Sequence, residues 1–546
     1  MNQLSARRRY AVLATVCLAA FAINLDTTIV NVALPDLGRQ LSAGTRDLQW
    51  VVDGYNLAFA ALVLSAGSIG DRFGRRPALI IGLGGFGLAS GIGAMVGSVG
   101  ALIAIRFLMG AFAALIFPTT LSIISNTFSD RSERAKAIGI WGAVTGLGVA
   151  VGPVSGGALL AHYSWHSVFV ALVPVAVVAM IATAVLVPES SNPQQARLDL
   201  PGLLTSTAAI STLVYTIIEA PRRGWADGLT LAGFVLTGAL VVVFVLIERR
   251  RAHPMIDVSL FRTPAFSAAS GAVTVAFFAL FGFIFLVTQY CQFIRGYGAL
   301  STGVRILPVA TTIAVGSVGG VIVAGRVGTR VVVVTGLTLL ATSFAWISMS
   351  ATFMSYSNIV GQMVLMGLGL GLTTAPATES ILSVLPPAKA GVGSAVNDAT
   401  REAGGTLGVA VLGSIFISYY SDKLQTGPFS GLGAQGLRGA QDSVATALGI
   451  IGSAQPTTRP ALLNGLQESF MSGFHTASAV ATGVCLLGAL GALALPGRRH
   501  PAAAMAAEPV GAASSLRPTA GDQAGERDDV VAVVAGGGVE GSAAGH

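Results

Sequence analysis

Residues 47–76 read DLQWVVDGYNLAFAALVLSAGSIGDRFGRR. A helix that crosses a bilayer needs about 20 mainly apolar residues, and residues 47–68 provide a run of that length. The run passes into a turn, residues 67–76, that carries three glycines and three arginines around one aspartate. The stretch therefore predicts a membrane-spanning helix that ends in a tight basic turn.

The composition extends this prediction to the whole chain. Of the 546 residues, 53% are hydrophobic and only 10% are charged, whereas a soluble domain carries about 25% charged residues. So few charges exclude an ordinary soluble enzyme and a disordered protein. We therefore expect an all-α polytopic membrane protein.

Apolar runs between charged or Gly/Pro-marked breaks predict fourteen spans. Their approximate positions are 10–33, 47–68, 78–99, 101–125, 137–161, 166–187, 202–219, 229–247, 265–291, 302–324, 331–350, 356–379, 397–419 and 470–495. With the amino terminus inside, the predicted inner segments hold 19 Lys and Arg residues and the outer segments hold eight. Because Lys and Arg concentrate in cytoplasmic loops, both termini are predicted to be cytoplasmic and the number of spans even.

Two basic turns indicate an internal repeat. The second span ends in residues 72–76, RFGRR, and the tenth ends in residues 326–330, RVGTR; each turn precedes another span. Such repeats are found in transporters with a site near the bilayer midplane, so we predict two six-helix bundles with spans seven and eight inserted between them. The predicted domains are a first bundle at 1–187, a linker with two inserted helices at 188–264, a second bundle at 265–500 with an outer loop at 420–468, and a disordered cytoplasmic tail at 501–546.

Three ionisable residues lie inside predicted spans at a similar depth. Asp26, Asp53 and Arg106 are each five to seven residues from the predicted outer end of a span, or about 8–10 Å deep at 1.5 Å per residue. Ionisable side chains in a membrane usually face a cavity or a partner. We expect Asp26 and Arg106 to face the same cavity and, with Asp53, to serve proton coupling or substrate binding. One alternative is that Asp26 lies in a loop or snorkels to the membrane surface. The other is that Asp26 and Arg106 share a depth by coincidence and their side chains face different directions.

The turn at 67–76 is a candidate conformational switch. Its candidate residues are Gly67, Asp71, Arg72, Gly74, Arg75 and Arg76. Gly74 permits a tight turn. Asp71 lies at the carboxyl end of its helix, where the helix dipole disfavours an anion, so we expect a partner that holds it in one conformation and releases it in another. A purely topogenic basic loop is the alternative.

Span five contains closely spaced glycines around a proline: Gly148, Gly152, Pro153, Gly156 and Gly157. Glycines four residues apart make a smooth face for close helix packing, and Pro153 removes a backbone hydrogen bond and kinks or softens the helix. We expect a flexing interface, with tight packing of no special role as the alternative.

The second half of the chain offers fewer candidates. Glu379, near the predicted inner end of span twelve, is the candidate coupling acid there, and an interfacial acid is the alternative. Asp398 and Arg401 are three residues apart and could pair on one helix face. Arg401 and Glu402 could also be the interfacial start of span thirteen.

The sequence does not indicate other kinds of site. It contains no Gly-x-x-x-x-Gly-Lys-Ser/Thr loop and no credible catalytic triad. Three cysteines in separate apolar runs, together with isolated histidines, argue against a disulfide framework or a metal site. The net charge of +7 is attributed to inner loops rather than to nucleic-acid binding. We therefore expect no enzyme, no cofactor and no metal, and transport driven by an ion gradient or by downhill flux.

Four motifs resemble those of the major facilitator superfamily, in its fourteen-span drug:proton antiporter branch. Residues 67–76 (GSIGDRFGRR) resemble the superfamily's signature between spans two and three, and residues 25–35 (LDTTIVNVALP) resemble the first-span motif of the branch. Residues 102–110 (LIAIRFLMG) resemble the span-four motif, with Met109 where that motif usually has Gln. Residues 148–157 (GVAVGPVSGG) resemble the antiporter motif of exporters.

The resemblance covers about residues 10–495 and implies a major facilitator fold, in which two six-helix bundles rock around a central cavity. It implies a proton-coupled exporter of amphipathic small molecules, such as drugs, toxicants or a self-made antibiotic, in the plasma membrane of a bacterium. We expect a monomer, with protons, the small-molecule substrate and the lipid bilayer as its partners. An importer or symporter of the same fold and a lipid-handling or scaffold membrane protein are the alternatives, and the substrate itself is left open.

Overall fold

The computed structural model describes residues 5–128, 130–191, 199–251, 258–383 and 390–497, which form helices and connecting turns without β-strands. Six long helices come first: α1 (Ala6–Gln40), α2 (Thr45–Phe73), α3 (Arg75–Gly93), α4 (Val99–Thr127), α5 (Arg131–His162) and α6 (His166–Leu186). Two more follow: α7 (Leu200–Arg223) and α8 (Gly228–Arg250). The remaining helices are α9 (Pro264–Gln289), α10 (Ala299–Val327), α11 (Thr329–Ser348), α12 (Tyr356–Ser383), α13 (Ala390–Gln425), α14 (Gly433–Asp442), α15 (Val444–Ser453) and α16 (Arg459–Gly491).

All of these helices except the short α14 and α15 are long enough to cross a bilayer. Within the described ranges, thirteen helices are both long and apolar enough to do so. The remaining long helix, α2, has 29 residues and packs against α4 and α13. The structure therefore agrees with the fourteen-span, all-α architecture predicted from the sequence.

Side-chain caps set the starting points of several helices. At the start of α4, the Ser98 hydroxyl accepts a hydrogen bond from the Ala101 amide at 3.4 Å. At the start of α8, the Asp227 carboxylate accepts one from the Leu229 amide at 2.9 Å. The first amides of a helix have no partner within the helix, so these side chains define where each helix begins after a short turn.

The two halves of the chain, α1–α6 and α9–α13 with α16, pack in the same order. In the first half, α2 lies against α4, α1 against α5, and α3 against α6. In the second half, α10 lies against α12, α9 against α13, and α11 against α16. The halves meet where α5 packs against α10 and α2 packs against α13. The internal repeat expected from the two basic turns is thus present in the helix packing.

The two basic turns share a backbone conformation. Gly74, between α2 and α3, has a φ of 116°, and Gly328, between α10 and α11, has a φ of 94°. Residues with a Cβ atom rarely adopt such values. Glycine is therefore required at the same place in both halves.

An arginine after each glycine caps another helix of the same half. Arg76 donates a hydrogen bond to the Ala184 carbonyl near the end of α6. Arg330 donates to the Leu495 carbonyl, just beyond α16, at 2.7 Å. The last carbonyls of a helix lack partners within the helix, and the helix dipole favours a cation there. Each arginine therefore ties its turn to the last helix of its half.

The inserted helices α7 and α8 lie beside the two halves. α7 packs against α2 and α13, and so covers a seam where helices of different halves meet. α8 packs against α7 and leaves most of its apolar side chains exposed, as a helix that faces lipid would.

The domain limits at 187, 264 and 500 stay predictions, because Met1–Arg498 forms one unit. The predicted tail, 501–546, lies outside the described residues.

Helices are longer than predicted at the end of the bundle that carries the α1–α2 connection, which is the predicted outer end. α1 continues through Pro35 to Gln40. A proline removes only one helical hydrogen bond, and the flanking bonds keep the last turn of α1 helical. α13 extends to Gln425, and α16 begins at Arg459. The predicted outer loop at 420–468 therefore contains ends of both helices, with α14 and α15 between them.

The helices α14 and α15 rest on the α1–α2 connection. The Ser443 hydroxyl donates a hydrogen bond to the Ala43 carbonyl at 3.3 Å. Burial raises the pKa of the Asp442 carboxyl, and the nearby Asp47 carboxylate adds to that rise. Because the pKa is raised in this arrangement, protonation of Asp442 favours the contact and deprotonation at higher pH weakens it.

Candidate functional site

A buried ion pair joins α1 to α4. Arg106 Nη1 donates to both carboxylate oxygens of Asp26, at 2.8 and 2.7 Å. Arg106 Nε donates to the Val51 carbonyl of α2 at 2.9 Å, and the guanidinium carbon lies 4.4 Å from the centre of the Tyr55 ring. The Asp26 and Arg106 side chains are 0% and 1% exposed. The sequence predicted a shared cavity for this pair, and the structure shows a direct contact.

Close packing of α2 against α4 brings the partners of Arg106 into place. A Cβ atom on Gly110 of α4 would overlap the Tyr55 carbonyl oxygen of α2, so glycine allows the two backbones to approach closely. Val51 and Tyr55 are four residues apart and therefore lie on one face of α2. That face offers Arg106 a carbonyl oxygen and an aromatic ring in addition to the carboxylate.

A cavity lies between the two halves, next to Tyr55. Aromatic and polar side chains line it: Asn24, Thr27, Thr28, Tyr55, Phe59 and Phe117 from the first half, and Phe277, Phe281, Arg401 and Glu402 from the second. Its volume is about 40 Å³, whereas pockets for drug-sized molecules are typically about 300–1,000 Å³. The halves must therefore separate before such a molecule can enter.

Arg401 and Glu402 supply the charges of the second half at this cavity. Neither residue was predicted to line a cavity, because two adjacent charges early in a predicted span are also typical of an interfacial helix end. The Arg401 guanidinium carbon lies 4.5 Å from the centre of the Phe277 ring. The Arg401 Nη1 atom lies 3.8 Å from an oxygen of Asp398, so the possible Asp398–Arg401 pair is present.

The glycines that follow Glu402 were the signal that could have identified it. A Cβ atom on Gly404 would overlap the Thr274 carbonyl oxygen, and one on Gly408 would overlap the Phe278 carbonyl oxygen. α13 is therefore pressed against α9 at this level. Charges that immediately precede such a contact lie within the bundle rather than at its edge.

Asp53 and Glu379 do not join this site. Asp53 is fully buried, but two residues turn about 200° around a helix axis, so its side chain points away from the side of α2 that carries Tyr55. Glu379 is exposed near the end of α12 and does not line the cavity. The last part of α12 therefore presents Glu379 outside the packed interior, and its role as the coupling acid of the second half stays a prediction.

Three glycines of α5 form a face that packs against α1. An added Cβ atom would overlap the Thr28 hydroxyl at Gly152. At Gly156 it would lie 2.8 Å from the Ile29 side chain. Gly148 continues the same face one turn earlier, so the expected close packing of this helix is present.

The next residues of α5 pack against α10 of the other half. A Cβ atom on Gly157 would lie 2.6 Å from the Ala299 carbonyl oxygen, and one on Gly303 of α10 would overlap the Pro153 carbonyl oxygen. α5 therefore contacts α1 within its own half and α10 across the boundary between the halves. Its function as a flexing interface stays a prediction.

Polar contacts also join the halves toward the predicted outer end. Gln49 of α2 donates a hydrogen bond to the Ala410 carbonyl of α13 at 3.1 Å. Gln292, in the π-helical turn Tyr290–Ile294 that follows α9, donates to the Val32 carbonyl of α1 at 3.0 Å. Together with the α5–α10 contact, these bonds close the bundle on that side.

The predicted switch turn begins in the last part of α2, which includes Gly67 and Asp71. The structure does not describe the side chain of Asp71, so its expected partner stays a prediction. Arg72 is exposed. The Arg75 amide donates a hydrogen bond to the Ser190 carbonyl at 2.9 Å, which holds the turn to the segment that follows α6.

Two repeated halves around a central cavity invite comparison with known families. The family model described as Major Facilitator Superfamily matches residues 16–409. The chain belongs to the Major Facilitator Superfamily. The family and its structural relatives are transporters rather than enzymes, and this major facilitator protein is a multi-pass membrane protein of the bacterial efflux type.

Several bacterial major facilitator proteins are related to the chain. The chain is 36% identical over 410 residues to the multidrug resistance protein Stp of Mycobacterium tuberculosis. That alignment covers 75% of this chain and 76% of the relative. The chain is 32% identical over 484 residues to the multidrug efflux pump LfrA of Mycolicibacterium smegmatis, in an alignment that covers 88% of this chain and 95% of the relative. The chain is 32% identical over 498 residues to the tetracenomycin C resistance and export protein of Streptomyces glaucescens, in an alignment that covers 89% of this chain and 91% of the relative.

Solved major facilitator structures share the fold. A bacterial homologue of the human lysosomal transporter Spinster, inward-facing and unoccupied, has a TM-score of 0.61 and 16% identity, over 90% of this chain and 98% of that one. The nucleoside transporter NupG has a TM-score of 0.57 and 10% identity, over 88% and 99%. At such low identity the likeness shows the major facilitator fold alone.

Proposed function

We propose that this protein is a proton-coupled exporter that moves amphipathic small molecules, such as drugs, toxicants or a self-made antibiotic, out across the plasma membrane. The observation that carries the proposal is the buried Asp26–Arg106 ion pair beside an aromatic cavity between the halves. The resistance and export names of relatives at 32–36% identity support it. We place both termini in the cytoplasm and expect a monomer, which terminal reporter fusions and the mass of the purified protein would check.

Asp26 is the proposed proton acceptor. A proton that reaches it from the predicted outer side neutralises the carboxylate and removes its attraction for Arg106. Arg106 retains the Tyr55 ring as a partner, so the change reaches the cavity wall. Release of the proton inside restores the ion pair. Proton and substrate must favour different states of the transporter, because a ligand shifts a conformational equilibrium only through its differential affinity.

The cavity lining indicates the chemistry of the substrate. Its aromatic rings suit planar, apolar groups, which stack on them or meet their edges. Glu402 contributes a negative charge, whereas the charge of Arg401 is met by Asp398. Together these groups favour an aromatic molecule with a positive charge. The hydroxyls of Thr27 and Thr28 add hydrogen-bonding groups at the same wall.

Replacing Glu402 with glutamine is expected to weaken binding of ethidium, a planar aromatic cation, by about tenfold, which corresponds to about 1.4 kcal/mol. Binding of the uncharged dye Nile red should be unchanged, because the substitution alters charge and not size. Fluorescence titration of the purified protein measures both affinities. Asp422→Asn, at an exposed position on the same helix, is the matched control. Equal losses for the two dyes would contradict the assigned charge recognition.

Everted membrane vesicles with an acidic interior test the proposed function. The wild-type protein should accumulate ethidium inside them, and Asp26→Asn should abolish this accumulation because the proton acceptor is gone. Asp36→Asn, near the end of the same helix, where Asp36 pairs with Arg39, should behave as wild type. If Asp26→Asn still exchanges ethidium for protons, the assigned role is wrong. Gradient-driven movement out of the vesicles would indicate an importer of the same fold.

A further inference from the structure

The inserted helix α7 covers the seam between α2 and α13. Val214, Ile217 and Ile218 of α7 form an apolar cluster with Leu57 of α2 and Ala410 of α13. Because this cluster includes residues of both halves, side chains of α2 that point into it are separated from lipid by α7.

Polar contacts fasten α7 to both halves at the predicted outer end. Arg46 of α2 lies 2.6 Å from the Glu219 carboxylate of α7, which is 2% exposed. Trp225, in the turn after α7, donates a hydrogen bond to the Ser418 hydroxyl of α13 at 3.3 Å. α7 therefore bridges the two helices over the seam that it covers.

Buried polar side chains line α2 along this seam. Gln49, Asp53 and Asn56 are four and three residues apart, so they share one face of the helix. None of them is more than 1% exposed. Gln49 donates hydrogen bonds to the Ala410 carbonyl and, at 3.3 Å, to the Ser414 hydroxyl. The face of α2 that carries these residues therefore meets α13.

The facing positions of α13 lead to the central cavity. Glu402, Thr406, Ala410 and Ser414 are spaced by four residues and therefore form a continuous row that winds slowly around that helix. Ser414 contacts Gln49, and Glu402 lines the cavity. The seam thus carries polar groups from the predicted outer end to the cavity wall.

Asp53 is the ionisable group in the middle of this polar face of α2. It lies eight residues into α2, or about 12 Å along the axis at 1.5 Å per residue. Its side chain is fully buried, and neither carboxylate oxygen has a hydrogen-bond partner among the residues that the structure describes. An ionised carboxylate in such a place is strongly unfavourable, and a bound proton removes the charge.

Charged groups on the helices packed against α2 have other partners or lie at other levels. They are Asp26 and Arg106, bonded to each other on the Tyr55 side of α2; Asp36, Arg39, Arg46, Asp47, Glu219, Arg222, Arg223, Asp422 and Lys423, toward the predicted outer end; Asp398, Arg401 and Glu402, toward the predicted inner end of α13; Arg75 and Arg76 at the start of α3; and Arg7, Arg8 and Arg9 at the start of α1. A proton is therefore the simplest partner for Asp53 in this arrangement.

We propose that Asp53 is a proton-binding site separate from the substrate cavity, enclosed by α7. Hydronium from the predicted outer side donates a proton to the carboxylate, which forms one O–H bond and leaves water. The neutral carboxyl allows α2 and α13 to pack as they do here. Loss of the proton places a charge in the seam and favours separation of the two helices. This inference rests on the proposed exporter function and adds a second proton site to it.

Infrared spectra of the purified full-length protein test the site without transport. Wild type should show the carbonyl stretch of a protonated carboxylic acid that is missing in Asp53→Asn and shifted in Asp53→Glu. Asp47→Asn, six residues earlier in the first turn of α2, should leave that band in place. A spectrum in which Asp53→Asn loses no such band overturns the inference. If Asp53→Asn does not fold, an unshifted band in Asp53→Glu overturns it as well.

Everted vesicles separate this inference from the proposed function. Asp53→Asn should bind ethidium with wild-type affinity, but its pH-driven accumulation of ethidium should be at least about tenfold lower than that of wild type. If wild type shows no pH-driven accumulation, the proposed function fails whatever the spectrum shows. If wild type and Asp53→Asn accumulate ethidium equally, the exporter function stands and the Asp53 site alone is refuted.

Discussion

Replacing Arg106 with alanine is expected to abolish drug resistance and to lower the free energy of unfolding by about 3–5 kcal/mol. The substitution leaves the fully buried Asp26 carboxylate without the guanidinium that now donates to both of its oxygens. It also removes the donor to the Val51 carbonyl. Growth in ethidium of a host that lacks its own efflux pumps measures resistance, and denaturant unfolding in detergent measures stability.

A surface ion pair and a double variant serve as controls. Arg39→Ala breaks the exposed pair with Asp36 and should lower the free energy of unfolding by no more than about 1 kcal/mol. Asp26→Asn combined with Arg106→Ala should recover much of the stability lost in Arg106→Ala alone, because no unpaired charge remains buried. If the losses of the single variants simply add in the double variant, or if exchanging the two charges recovers nothing, the pair is not coupled.

Replacing Gly303 with valine is expected to reduce resistance to that of cells without the protein. The Cβ atom would overlap the Pro153 carbonyl oxygen, and a backbone oxygen cannot turn aside as a side chain can. α5 and α10 would be forced apart, which shifts the balance toward a state open at the predicted outer end. Cys291, buried near that end, should then react with an impermeant maleimide at least about tenfold faster, the effect of a 1.4 kcal/mol shift.

Gly319 of the same helix provides the matched control. A Cβ atom there would meet nothing within 4 Å, so Gly319→Val should retain resistance and slow labelling of Cys291. Normal resistance in Gly303→Val would show that the α5–α10 contact is not required for the transport cycle. Equal labelling in the two variants would show that the contact does not close the outer side.

The depth of the ionisable residues could be predicted from the sequence, but the side of the helix they face could not. A rise of 1.5 Å per residue places Asp26, Asp53 and Arg106 at similar levels without any knowledge of packing. Whether two of them meet depends on the rotation of each helix about its axis. The structure pairs Asp26 with Arg106 and buries Asp53, which helix rotation places on the other side of α2 from Tyr55.

The second half shows the same limit. Glu379 and Glu402 both lie near the predicted end of a span, and nothing local distinguishes an acid that faces water from one that faces a cavity. The packing of α13 on α9 through Gly404 and Gly408 brings Glu402 into the interior, whereas the end of α12 leaves Glu379 exposed. Contacts between distant parts of the chain made that distinction.

Apolar run length, the basic turns and the span motifs were sufficient to predict fourteen helices, an internal repeat and membership of the superfamily. These features are local, because each span must satisfy its own backbone in lipid and each turn needs its own glycine. Tertiary structure alone placed Arg106 on Asp26, brought Glu402 to the cavity and buried Asp53. Those contacts join residues far apart in the chain, and they depend on helix rotation and close approach, which a single sequence does not specify.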